Sequence, residues 1–167
     1  MKNYWTNMKA KISLILTAVI MVGCSSPSRI IDTHIHLYDT SRPEGVPWPP
    51  PSDDVLFRPT VARHFDAICE ANGVSATVIV EASDRVEDNQ WVLDLVKHNP
   101  KRYIGLVGNL PIGTPQFAKH LERFAKDKRF VGLRLRSWPE GVSGFNADVW
   151  RDLQLLSDKG LALDVLM

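Results

Sequence analysis

An α/β fold built on a parallel sheet is predicted by three features of this 167-residue sequence. Short runs rich in Val, Ile and Leu alternate with stretches whose apolar residues recur at helical spacing. After the first crossover the apolar runs begin about every 27 to 31 residues, the length of one β-α unit. The intervening stretches also carry start and stop signals of the kind that delimit helices.

Taken in order, the strands are expected at 30–37, 75–82, 103–110, 130–137 and 161–167. The first helix is expected over 60–72, stopped by Gly73. The second starts at Asp84 with Glu87 in a capping-box arrangement, and Trp91, Val92, Leu95 and Val96 form its apolar stripe. The third begins at Thr114 with Pro115 in its first turn and carries Phe117, Leu121 and Phe124. The fourth covers 146–159, closes at Gly160, and is expected to bury Trp150, Leu153 and Leu156.

Residues 1–23 stand apart from this pattern. Lys2, Lys9 and Lys11 precede an almost purely apolar stretch, 12–22, of secretory-signal length and too short to span a bilayer comfortably. Met21-Val22-Gly23-Cys24, followed by Ser25-Ser26, resembles the lipobox of bacterial lipoproteins, in which cleavage precedes a cysteine that becomes lipidated. An ordinary signal peptide with an incidental cysteine is the alternative, and either implies export. The expected organisation is a lipoprotein signal at 1–23, a short tether at 24–29 and one domain from 30 to 167, held on the periplasmic side of a bacterial membrane by lipid on Cys24. Cys24→Ser then releases the protein from the membrane fraction, and retention there contradicts the lipobox.

Removing the three lysines of that segment from the 20 basic residues leaves 17 against 19 acidic ones. No basic patch points to nucleic acid. With Cys24 lipidated, Cys69 has no partner, so packing rather than a disulfide must stabilise the domain.

The chemistry concentrates on one strand face. On a regular strand Asp32, His34 and His36 share one side, and Ile31, Ile35 and Leu37 the other. Spacing alone leaves three readings of His34 and His36: a metal site, a pair that polarises a carbonyl, or two edge-strand histidines. The same parity carries Glu81, Asn109, Arg134, Arg136 and Asp164 on the later strands. The opposite parity is apolar, with Val78 and Val80, Leu106, Val131 and Leu133 expected to face the helices. Recurrence of polar residues on one parity across five strands favours a shared polar cavity over isolated ion pairs. Tyr38 and Trp48, on the proline-rich loop after the first strand, are placed to wall it, although such aromatics are more often simple packing residues.

Asp32-Thr33-His34-Ile35-His36-Leu37-Tyr38-Asp39, the Trp48-Pro49-Pro50 loop, Val78-Ile79-Val80-Glu81-Ala82-Ser83 and Val131-Gly132-Leu133-Arg134 resemble the amidohydrolase-related family of metal-dependent (β/α)8-barrel hydrolases. The branch that this sequence is most similar to contains fuconolactonase-like and pyrone-dicarboxylate lactonase-like enzymes. The likeness runs from about residue 29 to 167 and implies a partial (β/α)8 TIM barrel of about five β-α units, truncated at the C-terminus, since a whole barrel takes about 250 residues.

The resemblance implies hydrolysis of a cyclic ester (lactone) or related carbonyl compound. His34 and His36 match the family's first histidine pair and are the candidate catalytic residues and metal ligands. They either hold a divalent metal such as zinc or, in a metal-free mechanism, act with an arginine on the substrate carbonyl. The family's later histidine and aspartate have no counterpart among these residues. Arg134, Arg136, Glu81, Tyr38 and Trp48 are the candidate substrate contacts. For both arginines an internal salt bridge to Glu81 or Asp164 is an equally good reading. Expected partners are a small-molecule substrate, the membrane through the lipid, and either a second copy or a complementing C-terminal fragment, because a half-barrel leaves strand edges open. A non-catalytic exported lipoprotein, a binding remnant or decayed enzyme, is the competing function.

Overall fold

The structure, a computed structural model, describes residues 29–136 and 141–166. The leader, Cys24 and the end of the fourth expected strand therefore lie outside the described residues. Five strands, β1 (Ile30–Ile35), β2 (Val74–Val80), β3 (Tyr103–Gly108), β4 (Phe130–Leu135) and β5 (Ala162–Val165), form one sheet in sequence order. Every pairing is parallel. Helices α1 (Ala62–Asn72), α2 (Val86–Leu95), α3 (Phe117–Phe124) and α4 (Ala147–Asp158) supply the crossovers.

The sheet curls into half of a barrel. Neighbouring strands lie about 4.8 Å apart, so in a flat sheet β1 and β4 would be separated by about 14 Å. Instead the side chains of His34 on β1 and Arg134 on β4 meet at 3.1 Å. Curvature therefore gathers the inner face, while the outer face packs on helices.

The core between strands and helices holds Ile35, Leu37, Ile79, Leu106 and Leu133 against Val92, Leu93, Phe117, Leu121, Phe124 and Leu156. Phe124 stacks on Phe130 with centroids 5.6 Å apart. Each such buried side chain contributes about 1.5–3 kcal/mol relative to exposure, ahead of entropy costs. Two glycines permit close approach within this sheet. A Cβ on Gly105 would lie 2.8 Å from Val131 Cγ2, and one on Gly108 would collide with the Asn89 carboxamide and the Phe130 ring.

Helix ends follow the expected signals in part. Gly73 caps α1 at φ 67°, and Asn146 caps α4 by accepting from the Asp148 and Val149 amides. Asp84 and Glu87 do not form a capping box: α2 starts at Val86, with Arg85 at the cap position. The third helix begins at Phe117 rather than at Thr114, whose hydroxyl instead donates to the Pro111 carbonyl in the preceding turn.

Burial departs from expectation at Trp150, on β2 and at Val131 of β4. Trp150 is 51% exposed and rests edge-on against Phe145, while Val149, Asp152 and Leu156 are the residues that α4 buries. On β2 the helix-side core residue is Ile79. Val78 and Val131 flank the space beside Gly105, on the side opposite Leu106. The β2–β3 register shifts between Thr77 and Val78 and the β3–β4 register between Leu106 and Val107, and a shift of one residue reverses which side chains face inward.

Candidate active site

At the C-terminal ends of the strands the curled sheet assembles a cavity of ≈ 150 Å³ lined by His36, Trp48, Glu81, Arg134 and Arg136. His34 joins it through Arg134. The two imidazole rings lie edge to face with centroids 5.1 Å apart.

His36 Nδ1 is 3.0 Å from the Val80 carbonyl oxygen. A carbonyl only accepts, so Nδ1 carries the proton and the neutral ring keeps its lone pair on Nε2. Burial lowers the pKa of His36 below 6.5; the hydrogen bond to Val80 opposes this, and His34 and Arg134 add to it. The ring is thus neutral at neutral pH. His34 has the same tautomer for a different reason. Its Nε2 faces Arg134 Nη2 at 3.1 Å, and because a guanidinium has no lone pair, Nε2 must be the acceptor.

Both arginines are held by carboxylates, and the pairing is now specific. Arg134 Nε donates to Asp164 Oδ2 at 2.6 Å. Arg136 engages Glu81 with a fork, Nε to Oε1 at 3.1 Å and Nη2 to Oε2. Glu81 is 5% exposed at its side chain and Arg136 43%, so the carboxylate is buried while the guanidinium reaches the opening. Burial raises the pKa of Glu81 above 4.5, and Arg136 pulls it back. The salt-bridge reading and the cavity reading of these arginines therefore hold together: each is ion-paired and each lines the site.

The remaining candidates divide. Trp48 stands edge-on to His36 at 5.5 Å and forms the wall of the cavity. Tyr38 backs that wall at 5.3 Å from Trp48, and its hydroxyl donates to the Leu56 carbonyl, away from the cavity. Asp32 accepts the His34 amide with its own carboxylate, a local turn rather than a cavity contact. Asn109 uses its backbone, exchanging hydrogen bonds with the Asn89 side chain. Arg42 on the loop after β1 and Asp88 on α2 lie off the strand face that alternation singles out, so no sequence pattern marks them.

A parallel α/β half-barrel with histidines, arginines and a buried carboxylate at its C-terminal rim defines the class: barrels whose chemistry sits at that face. Residues 31–167 match the amidohydrolase family, and the chain belongs to it. It is 25% identical over 104 residues to an L-fucono-1,5-lactonase from Burkholderia ambifaria, covering 62% of this chain and 35% of the lactonase. In fold it is similar to an amidohydrolase from Burkholderia multivorans with bound zinc, at a TM-score of 0.72 and 23% identity, over 84% of this chain and 49% of that one. It is also similar to a probable 2-pyrone-4,6-dicarboxylic acid hydrolase from Acinetobacter baumannii with citric acid bound, at a TM-score of 0.60 and 18% identity, over 83% and 49% of the two chains. The chain thus spans about half the length of these solved structures and about a third of the lactonase.

A zinc ion does not fit the described residues as arranged. Among them no group of three or more His, Cys, Asp or Glu converges as a metal site. Two imidazoles supply half of the usual four ligands, and the His34 lone pair is already taken by a guanidinium, which sets positive charge where the cation would sit.

Proposed function

We propose that the chain is a hydrolase acting on a cyclic ester or a related carbonyl compound, at the cavity bounded by His36, Trp48, Glu81, Arg134 and Arg136. The observation that carries the proposal is the convergence of His34 and His36 with Arg134 from β4 on one rim of an amidohydrolase-family half-barrel. Family membership and the lactonase relative support the reaction class.

His36 lines the cavity, and its Nε2, left unprotonated by the bond from Nδ1 to Val80, is suited to accept a proton from attacking water. Arg136, half exposed at the opening, spends its Nε–Nη2 edge on Glu81 and offers its Nη1 end to a substrate carboxylate or to the oxygen that becomes negative as the ester carbonyl is attacked. Arg134 fixes the orientation of His34 and adds positive charge beside the same oxygen. Glu81 keeps Arg136 aimed. The neighbour of similar fold holds zinc; in this reading His36 and the arginines act without it.

The test is hydrolysis of a sugar-acid 1,5-lactone and of a pyrone dicarboxylate, followed by acid release. Acceleration over the uncatalysed reaction supports the hydrolase. No acceleration from a cooperatively folded chain supports the non-catalytic binding protein instead.

A further inference from the structure

The loop from β1 to α1, residues 36–61, is far longer than the about 2–6 residues usual between a strand and its helix. It does not lie over its own unit alone. Its base is closed by paired backbone hydrogen bonds between Tyr38 and Thr60, and its middle crosses to α2 of the next unit. Among the described residues, the side-chain hydrogen bonds tying 40–48 to another element are Arg42 to Asp88 and Arg85 to the Gly45 carbonyl.

Arg42 is built into that crossing. Its Nη2 donates to Asp88 Oδ1 at 2.8 Å, its Nε donates to Glu44 Oε1 at 2.7 Å, and its guanidinium carbon lies 4.6 Å above the centre of the Trp91 ring. The Arg42 and Asp88 side chains are 14% and 10% exposed, so the pair is largely withdrawn from water. A partly desolvated, stacked and forked guanidinium has one favourable position, unlike a surface ion pair. A narrow pocket beneath it runs past Asp88 and Trp91 to the back of Trp48 and Glu81.

We propose that Arg42, with Asp88, is a positioning residue that holds the Trp48 wall against His36. Trp48 is six residues from Arg42, in the stretch 40–48 whose other side-chain hydrogen bond to a different element, among the described residues, is that from Arg85 to Gly45, and it packs on Tyr38 on its other side. The indole meets His36 by ring packing, which fixes distance less firmly than a hydrogen bond does. The latch on α2 thus sets the width of the cavity mouth from outside the cavity. This rests on the placement of the site but not on the lactone reaction.

The test is NMR of the full chain, reading the His36 ring protons, which feel the Trp48 ring current. Trp48→Ala defines the direction of the shift. Arg42→Met, which keeps the stem over Trp91, and Asp88→Asn, which keeps the shape of the carboxylate, are each expected to move the His36 resonances in that direction. Arg42→Lys restores part of the wild-type position. A purely structural pair would lower the unfolding temperature and leave these resonances in place, and that result overturns the proposal. So does a Trp48→Ala variant with unshifted His36 resonances. Should Arg42→Met fail to fold, Asp88→Asn decides alone. If the chain hydrolyses lactones, Arg42→Met also raises KM with kcat near wild type; a chain without activity still yields the NMR result.

Discussion

Arg134 ties β5 to β1 through two hydrogen bonds, one to Asp164 and one to His34 Nε2 at 3.1 Å. The second of these uses the lone pair that a metal ion would need. Arg134→Met frees it and removes a nearby positive charge, leaving Asp164, which is 37% exposed and so tolerates loss of its partner. Zinc titrated calorimetrically should bind Arg134→Met at least about tenfold more tightly than wild type, a difference of about 1.4 kcal/mol. Equal affinities would mean that the guanidinium does not guard the pair.

Acid should affect function and stability through different residues. The pKa of His36 is lowered from 6.5, so its lone pair persists in mildly acid solution, and the acid limb of the rate profile is expected to have its midpoint below 6.5. The unfolded chain protonates this histidine at its ordinary value while the folded chain resists. His36 therefore contributes full stability above 6.5 and loses it as pH falls through the lowered value. Glu81 acts with the opposite sign. Its folded pKa is raised from 4.5, so it favours folding at low pH and costs stability as pH rises from 4.5 through the raised value. Urea midpoints of His36→Ala and Glu81→Gln across this range should diverge from wild type in opposite directions.

Gly108 should not tolerate a side chain. A methyl group there meets Asn89, which bridges α2 to the end of β3, and Phe130, which belongs to the core. Gly108→Ala is expected to cost about 1–3 kcal/mol, read as a lower urea midpoint with an unchanged slope.

Much of this arrangement is written in the sequence. The five apolar runs place the strands in order, and His34 of β1, Arg134 of β4 and Asp164 of β5 do meet on one face, whereas Asp32 does not. Alternation fails at β2 and within β4, because the register shifts at Thr77/Val78 and at Leu106/Val107 are backbone irregularities that no residue pattern announces. Glu81 was found by that alternation but lies one residue past the strand, where the turn rather than the pleat aims it. Trp150 has the spacing of a buried stripe, yet α4 faces the sheet through Val149 and Leu156. Arg42 and Asp88 are separated by 46 residues on a loop and a helix, and only the tertiary path of the loop brings them together. Which arginine pairs with which acid was equally illegible, since Arg134 and Arg136 share a parity and their partners differ by strand curvature.

The open edges should make the chain associate. Leu163 and Val165 on β5 are 39% and 48% exposed, and Ile30 and Ile31 on β1 are also exposed. Among the described residues no strand pairs with the outer side of either. Exposed strand edges with apolar side chains template further pairing. Sedimentation at micromolar concentration should show dimers or larger species; a monomer that unfolds cooperatively contradicts this.

Whether His36 is the general base at this rim is decided by kcat/KM for lactone hydrolysis by wild type, His36→Ala and His98→Ala. His98 is exposed and serves as the control. His36→Ala is expected to lose about 10²–10⁴-fold, the contribution typical of a positioned general base, with His98→Ala unchanged. A His36→Ala protein that hydrolyses the lactone as fast as wild type would contradict that role.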